Sequence, residues 1–502
     1  MDSKCSKVQF EKALDMTGFG RFNMLMMVMT GSVTMAMAFE TSSVAYLVPA
    51  SACELLTTSQ QQGLMAGMPL IGILAMSNVW GYLADTRGRR KILLLALILG
   101  FITSSSATLA PNWIVFCVLK FLSSSAMAGT YGLGNAFLSE CTPSNKRSTL
   151  IVLVTTIFAS SVGVMAALTI PILPLTFSFY MPVLGISFNS WRLLNIIFSL
   201  PCAIGAVGAF LSLESPKYLL SVGREQEALE VMRKMFVINT GEDADRYKVT
   251  GVVLDEVTSS STSGFWRSVV SQTIPLLKPP LIKSTMLLSA IFVTVYICVN
   301  PFTVWLPYMV DGFMRSLEKG ERGLTFCEML RSSQNDTVEV TQPNDCSMNH
   351  TAMLMVLGLY LLQAILNVLM SMMLPICGRK TMLISIQVVG GICALVVNFS
   401  TIWALTAVLI IAFITGMLNF GLLSTFSVDM FPTYVKAMGV CLTLMVGRGS
   451  AVLGINLLKS LLSYNCEYSF YVFGSISLVG ALMALLLPSD RTTEKKDVET
   501  PK

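Results

Sequence analysis

The chain has 502 residues, of which 54% are hydrophobic and only 13% charged. A water-soluble protein of this size carries a charged shell of about a quarter of its residues, so a soluble globular enzyme is excluded and lipid is expected to cover most of the surface. The net charge of +5 comes with no basic tract or zinc-ligand spacing, so no nucleic-acid partner is expected.

Apolar runs of about 20 residues, each long enough to cross a roughly 30 Å hydrocarbon core, recur from end to end. They predict spans near 24–50, 62–83, 92–110, 114–138, 149–172 and 192–213, then 284–309, 352–376, 381–400, 404–427, 438–462 and 469–488. Lipid offers the backbone no hydrogen bonds, so the spans must be helical. The expected fold is an all-α membrane protein of twelve transmembrane helices in two pseudo-symmetric six-helix bundles. Residues 1–22 form an N-tail, 23–213 the first bundle, 214–282 a linker, 283–488 the second bundle with a loop at 310–350, and 489–502 a C-tail. Within the linker a short amphipathic helix is predicted near 224–236, and Ser259–Gly264 reads as a flexible run. The first apolar run is too long for a cleaved signal.

Lysine and arginine set the orientation. With the N-terminus in the cytoplasm, cytoplasmic segments hold 26 of the 34 basic residues and the opposite loops hold four. Both termini are therefore expected inside. The 310–350 loop then lies outside, where its sequons at Asn335 and Asn349 and a Cys327–Cys346 disulfide fit an oxidising compartment. Cys53 and Cys466 are alternative partners. The other cysteines fall mostly within apolar runs as inert small hydrophobes.

An internal duplication is legible. Gly88-Arg89-Arg90 after the second span returns as Gly378-Arg379-Lys380 after the eighth. Glu140-x-x-Pro143-Ser144-x-x-Arg147 after the fourth returns as Asp429-x-x-Pro432-Thr433-x-x-Lys436 after the tenth. Both repeats are displaced by about 290 residues. Parallel halves of this kind enclose a shared site near the midplane. The loop Gly81-Tyr82-Leu83-Ala84-Asp85-Thr86-Arg87-Gly88-Arg89-Arg90 reads as a conformational latch. Asp85 can accept helix N-terminal N–H groups, Gly81 and Gly88 permit close approach and a tight turn, and Glu140, Arg147, Asp429 and Lys436 supply further acid–base sets.

These residues resemble the major facilitator superfamily. Gly81–Arg90 matches its G-x-x-x-D-x-x-G-R-R loop, and Trp191-Arg192 with Glu214-Ser215-Pro216-Lys217-Tyr218-Leu219-Leu220 matches a segment of sugar porters, organic ion transporters and synaptic vesicle glycoprotein 2 relatives. Gly18-x-Gly20-Arg21-Phe22, Glu40 and Arg448-x-x-Ala451 look most like the vesicle glycoprotein 2 branch, as a divergent, invertebrate-style member. The resemblance implies a secondary transporter of an organic ion or sugar-like solute in a plasma or vesicle membrane. The alternative is a trafficking protein that keeps the fold. Loop 8–9 has Pro375 where the family has an aspartate, Met37 and Ser424 stand where acids are common, the long acidic N-terminal tail is not seen, and the large luminal insert is cut to about 40 residues.

Ionisable groups inside membrane helices are functional candidates by default. Glu40 and Lys120 lie at similar depths in the first and fourth spans, which line the cavity in the resembled fold, so the two are expected either as a pair at the cavity, or as a permanent structural ion pair, or with Lys120 snorkelling to the outer interface. Arg448 in the eleventh span is a candidate for an anionic group, and Lys459 is a further charge in that span. Tyr131, Tyr296 and Phe420 are the aromatic site candidates; Asn195, Gln363, Asn367, Asn419 and Asn456 are polar ones. Trp305 also falls near the presumed site, but the interfacial belt explains it, and Trp113, equally well. With one histidine, His350 in the outer loop, any proton relay would rest on Glu40. Neither metal nor cofactor is expected, and the partners are a small-molecule substrate and the bilayer, with the protein a monomer.

Overall fold

The computed structural model describes residues 8–253, 273–320, 323–336, 349–431 and 436–488. Among them are twelve helices long and apolar enough to cross a membrane. They are α1 (Arg21–Ser51), α2 (Ser59–Arg87), α3 (Arg89–Leu109), α4 (Trp113–Glu140), α5 (Ser144–Ile172), α6 (Ser190–Leu211), α7 (Ile282–Glu318), α8 (His350–Leu374), α9 (Arg379–Val397), α10 (Trp403–Ser427), α11 (Met438–Tyr464) and α12 (Cys466–Ala484). Several starts carry a side-chain cap. Thr58 accepts from Gln61, Asn112 from Val115 and Asn349 from Thr351, each satisfying one of the N–H groups a helix start leaves unpaired. Proline lies inside several helices, among them Pro49, Pro69, Pro201, Pro301 and Pro307, which a bundle tolerates because neighbours re-satisfy the freed carbonyls.

The repeat is built into the caps. Gly88 ends α2 at φ 106° and Gly378 stands in the same place before α9 at φ 78°, a backbone region that favours glycine. Arg90 then donates to the last carbonyls of α6, at Ala209 (3.1 Å) and Phe210. Lys380 donates to the carbonyls of Leu485 and Leu487 at the end of α12, at 2.7 and 2.5 Å. The same offset in sequence thus produces the same tether in each half.

Three apolar clusters show how the halves sit. One contains residues of both halves, among them Tyr46, Leu47, Met165, Phe302, Trp305 and Tyr360. The second holds only residues before 253 and the third only residues after 275. The shared cluster includes Cys327 and Cys466; the separate ones reach Ala84 and Met382, beside the Gly88 and Gly378 turns. The halves are therefore sealed at the end bearing the disulfide and parted at the end bearing the duplicated loops.

Three features lay outside the sequence reading. Helix α7 continues nine residues past its expected end, to Glu318, and a second helix, Phe326–Asp336, follows, so much of the 310–350 loop is helical. Residues 179–181 and 186–188 form an antiparallel hairpin between α5 and α6. The N-tail folds against the linker: Val8–Gln9 pairs in parallel with Val252–Val253, Phe10–Asp15 is a short helix, and both lie by the linker helix expected near 224–236, which runs Glu225–Thr240. Tyr247 donates to the Ala13 carbonyl at 2.8 Å, and Asn239 donates to the Gly18 carbonyl while accepting from the Phe22 N–H. Asp15 accepts from the Ser144 N–H and hydroxyl. The result is a cap on the parted end of the first half.

Candidate functional site

Glu40 and Lys120 do meet. The Lys120 ammonium donates to Glu40 Oε2 at 3.3 Å and to Ser43 Oγ at 3.1 Å, and Ser104 donates to Glu40 Oε2 at 2.9 Å. Their surroundings differ from the expected cavity wall. Glu40 is 4% exposed and Lys120 fully buried. Ser104 comes from α3, and Asn195 of α6 donates to the Ser104 carbonyl at 2.8 Å. The pair is thus enclosed by four helices of one bundle, because each polar group a buried charge needs is supplied from within that bundle.

The central candidates gather on the other half. Tyr296 of α7 and Phe420 of α10 have ring centroids 4.3 Å apart. Arg448 of α11 is an electrostatic and hydrogen-bonding neighbour of the Tyr296 hydroxyl. Gly447 lets α11 approach that ring: a Cβ there would fall 2.9 Å from Tyr296 Cδ2. All three side chains are half-buried, and they bring two aromatic faces and a guanidinium together. Tyr131 lies apart on α4, its ring 5.3 Å from Phe158. Of the amides, Asn419 is 1% exposed, and Asn456 faces α2, where Gly63 leaves room for its Oδ1.

At the parted end, Arg89 pairs with Asp85 and with Glu140 at 3.3 Å. Glu140 also accepts from Ser215 at 2.6 Å. Glu214 accepts from the Arg90 N–H at 2.9 Å, and a Cβ on Gly88 would come within 2.8 Å of its other oxygen. Arg147 pairs with Glu11 of the N-tail at 2.8 Å. Burial holds the Cys141 thiol there well above its usual range, so it is inert. The 81–90 and 140–147 segments therefore share one face. A Cβ on Gly81 would meet no described atom within 4 Å; the close approach expected of it is not made, since the halves are parted there. The Asp429 and Lys436 side chains lie outside the described residues.

At the sealed end the disulfide differs from the expected one. Cys327 bonds Cys466, not Cys346, which lies outside the described residues. The helix 326–336 carries Cys327 to the start of α12, where Arg331 also pairs with Glu467 at 3.0 Å. Cys53 is disulfide-bonded too. Asn349 serves as the cap of α8 and donates its amide to Glu318 at 2.6 Å; the Asn335 side chain lies outside the described residues. Arg192, fully buried, pairs with Glu54 at 2.6 Å and donates to the Thr108 and Ala110 carbonyls. Trp305 is fully buried rather than belted at an interface, and donates to the Ile455 carbonyl at 3.1 Å.

Residues 20–302 match the sugar (and other) transporter family. The chain belongs to that family. Residues 344–502 match the Major Facilitator Superfamily. Among curated relatives, mouse synaptic vesicle glycoprotein 2B is 24% identical over 67% of this chain and 52% of its own length. The putative transporter svop-1 of Caenorhabditis elegans is 24% identical over 95% of this chain and 84% of its own. The chain thus spans about half the length of the mouse relative, and its similarity runs to the synaptic vesicle glycoprotein 2-like branch of the superfamily. In fold it is similar to the E. coli xylose transporter XylE in an inward open conformation, with TM-score 0.68 at 12% identity over 94% of this chain and 97% of that one. A partially occluded inward open form of XylE gives TM-score 0.66, covering 94% and 99%.

Proposed function

We propose that this family member is a secondary transporter that moves a small organic ion across a plasma or vesicle membrane by alternating access, working as a monomer. The observation that carries the reading is the one-ended seal: the halves share an apolar cluster at the disulfide end and keep separate clusters at the other. That is the shape of a two-bundle carrier open to one side. The parted face is cytoplasmic in this reading, since the N-tail and the basic linker lie there and the disulfide belongs on an oxidising side.

The solute site is the Tyr296–Phe420–Arg448 group. A guanidinium beside aromatic faces suits an organic ion better than a sugar, whose hydroxyls call for amides. The Glu40–Lys120 pair holds the first bundle together. The Asp85–Arg89–Glu140–Ser215 chain is a latch. It stiffens the cytoplasmic ends of α2, α3 and α4 in this state, and Asp85, 64% exposed at its side chain, can reach α11 when that face closes. Asp429 and Lys436 complete the equivalent set in the second half.

The test is uptake by the full chain reconstituted in liposomes, with panels of organic anions, organic cations and sugars. The expected result is saturable flux of an ion class that Arg448→Ala abolishes. Absence of flux for every class, with the fold intact, would favour a trafficking protein that keeps the fold, a reading supported by Pro375, Met37 and Ser424 at positions where acids are common in the family.

A further inference from the structure

Lys459 is a buried cation that the Arg448 group does not use. It lies on α11 five residues before the helix ends at Tyr464, about 7.5 Å below that end at 1.5 Å per residue. Its residue exposure is 2%. The ammonium sits 3.6 Å from the Tyr308 ring centroid and 4.7 Å from that of Trp305, both on α7. Among the described residues no carboxylate pairs with it. Two aromatic faces offset only part of the cost of an ammonium held away from water, so among the described residues the site lacks an anion.

The cage sits in the seam that seals this end. One turn earlier, Asn456 packs on Gly63 and Gly67 of α2; one turn later, the Ser463 hydroxyl bonds that of Ser59 at 2.9 Å. Parting α2 from α11 is the motion that opens this face in an alternating-access carrier, and it uncovers the ground on which Lys459 stands. Tyr308, half-buried and one turn nearer the end than Trp305, is the ring that must swing aside. Arg448 precedes Lys459 by eleven residues, which is about 16.5 Å of rise and about 20° past three full turns. The two cations therefore lie on one face of α11, one beside Tyr296 and one near the sealed end. Among the described residues, acids at that end pair elsewhere: Glu54 with Arg192, Asp311 with Arg315 and Glu467 with Arg331.

We propose that Lys459 is the outer station of an anion path: the carboxylate or sulfonate of an organic anion replaces the Tyr308 face at the ammonium, and Arg448 receives it deeper. This rests on the transporter reading and narrows its solute to organic anions.

The test uses the full chain in right-side-out vesicles. External trinitrobenzenesulfonate, an impermeant amine reagent, is applied with benzoate as the probe anion, and labelled peptides are read by mass spectrometry. Lys459 is expected to label from outside, and a tenfold excess of benzoate over its half-saturating level lowers labelling about tenfold, while tetraethylammonium and xylose do not protect. Lys459→Met is expected to raise the external KM for a transported anion and Lys459→Arg to restore it. The proposal is overturned if Lys459 stays unlabelled while the exposed Lys319 reacts, if benzoate gives no protection, or if all three solutes protect alike. Protection without any flux would sink the transporter reading and leave the anion station standing; robust flux without protection would do the reverse.

Discussion

Removing one member of the Glu40–Lys120 pair is the sharpest probe of the first bundle. Glu40→Gln keeps the shape but takes away the charge that Lys120 faces at 3.3 Å, leaving Ser43 Oγ at 3.1 Å as the remaining acceptor of full strength, and it weakens the acceptor of Ser104. Breaking a buried pair in this way costs about 3–5 kcal/mol, a factor of roughly 10² to 10⁴ in the folded-to-unfolded ratio. Lys120→Met should cost a similar amount, since it strands the carboxylate. The double variant Glu40→Met/Lys120→Met strands neither and should recover more than half of either loss. Unfolding midpoints of purified protein in one detergent, followed by tryptophan fluorescence, measure all three. Midpoints of the single variants equal to wild type, or a double variant that falls by the sum of the singles, would show that the two groups are not an enclosed pair and would return them to the cleft.

Other consequences follow from the same structure. Peptide mapping without reduction should recover a Cys327–Cys466 link, and Cys327→Ser, Cys466→Ser and the double variant should behave alike in stability because each removes the same bond. Tyr247→Phe removes the hydrogen bond to Ala13, worth about 0.5–1.5 kcal/mol, and should speed proteolytic release of the N-tail without altering the membrane core; burial holds the Tyr247 hydroxyl above its usual range, so this bond should not weaken between pH 7 and 9. Glu328 accepts from the Thr325 N–H and hydroxyl, which holds its carboxyl below the usual value of 4.5. A lowered value means the cap is present at neutral pH and lost as pH falls through that lowered value, so hydrogen exchange in 326–336 should rise only in acid. Any glycan on Asn349 would displace its bond to Glu318; Asn349→Gln should leave the gel mobility of the expressed protein unchanged, whereas Asn335→Gln should increase it.

The twelve spans were legible because each is a continuous apolar run, and lipid allows such a run one backbone form. The repeat was legible because Gly88 and Gly378 each need a left-handed turn and Arg90 and Lys380 each cap a helix end, so both letters had to persist in both halves. Partners across the chain were not. Sequence depth put Glu40 level with Lys120, but only packing showed that Ser104 and Asn195 close the bundle around them. Cys327 had three candidate partners, and the choice of Cys466 depended on a helix at 326–336 that the charged, strongly polar run concealed. Trp305 carried an interfacial composition signal, yet its ring was claimed by Ile455 and Lys459. The N-tail cap left little trace, since a two-residue strand such as Val8–Gln9 has no period to read.

Among the described residues the polar contacts of the linker and N-tail belong to the first half: Asp15 to Ser144, Glu11 to Arg147, Ser215 to Glu140, Val8 to Val252; Leu276, near the far end of the linker, is buried in the second half's cluster. Each end of the linker is thus anchored on its own half, the first by hydrogen bonds and ion pairs and the last by apolar burial. Contact between the halves is mostly the greasy one around Phe302 and Tyr46, with few directional bonds among the described residues, such as Ser463 to Ser59, to break when one bundle rolls on the other. Two polypeptides made by severing the gene within codons 254–272 should for that reason still find each other in a bilayer and assemble as a working pair.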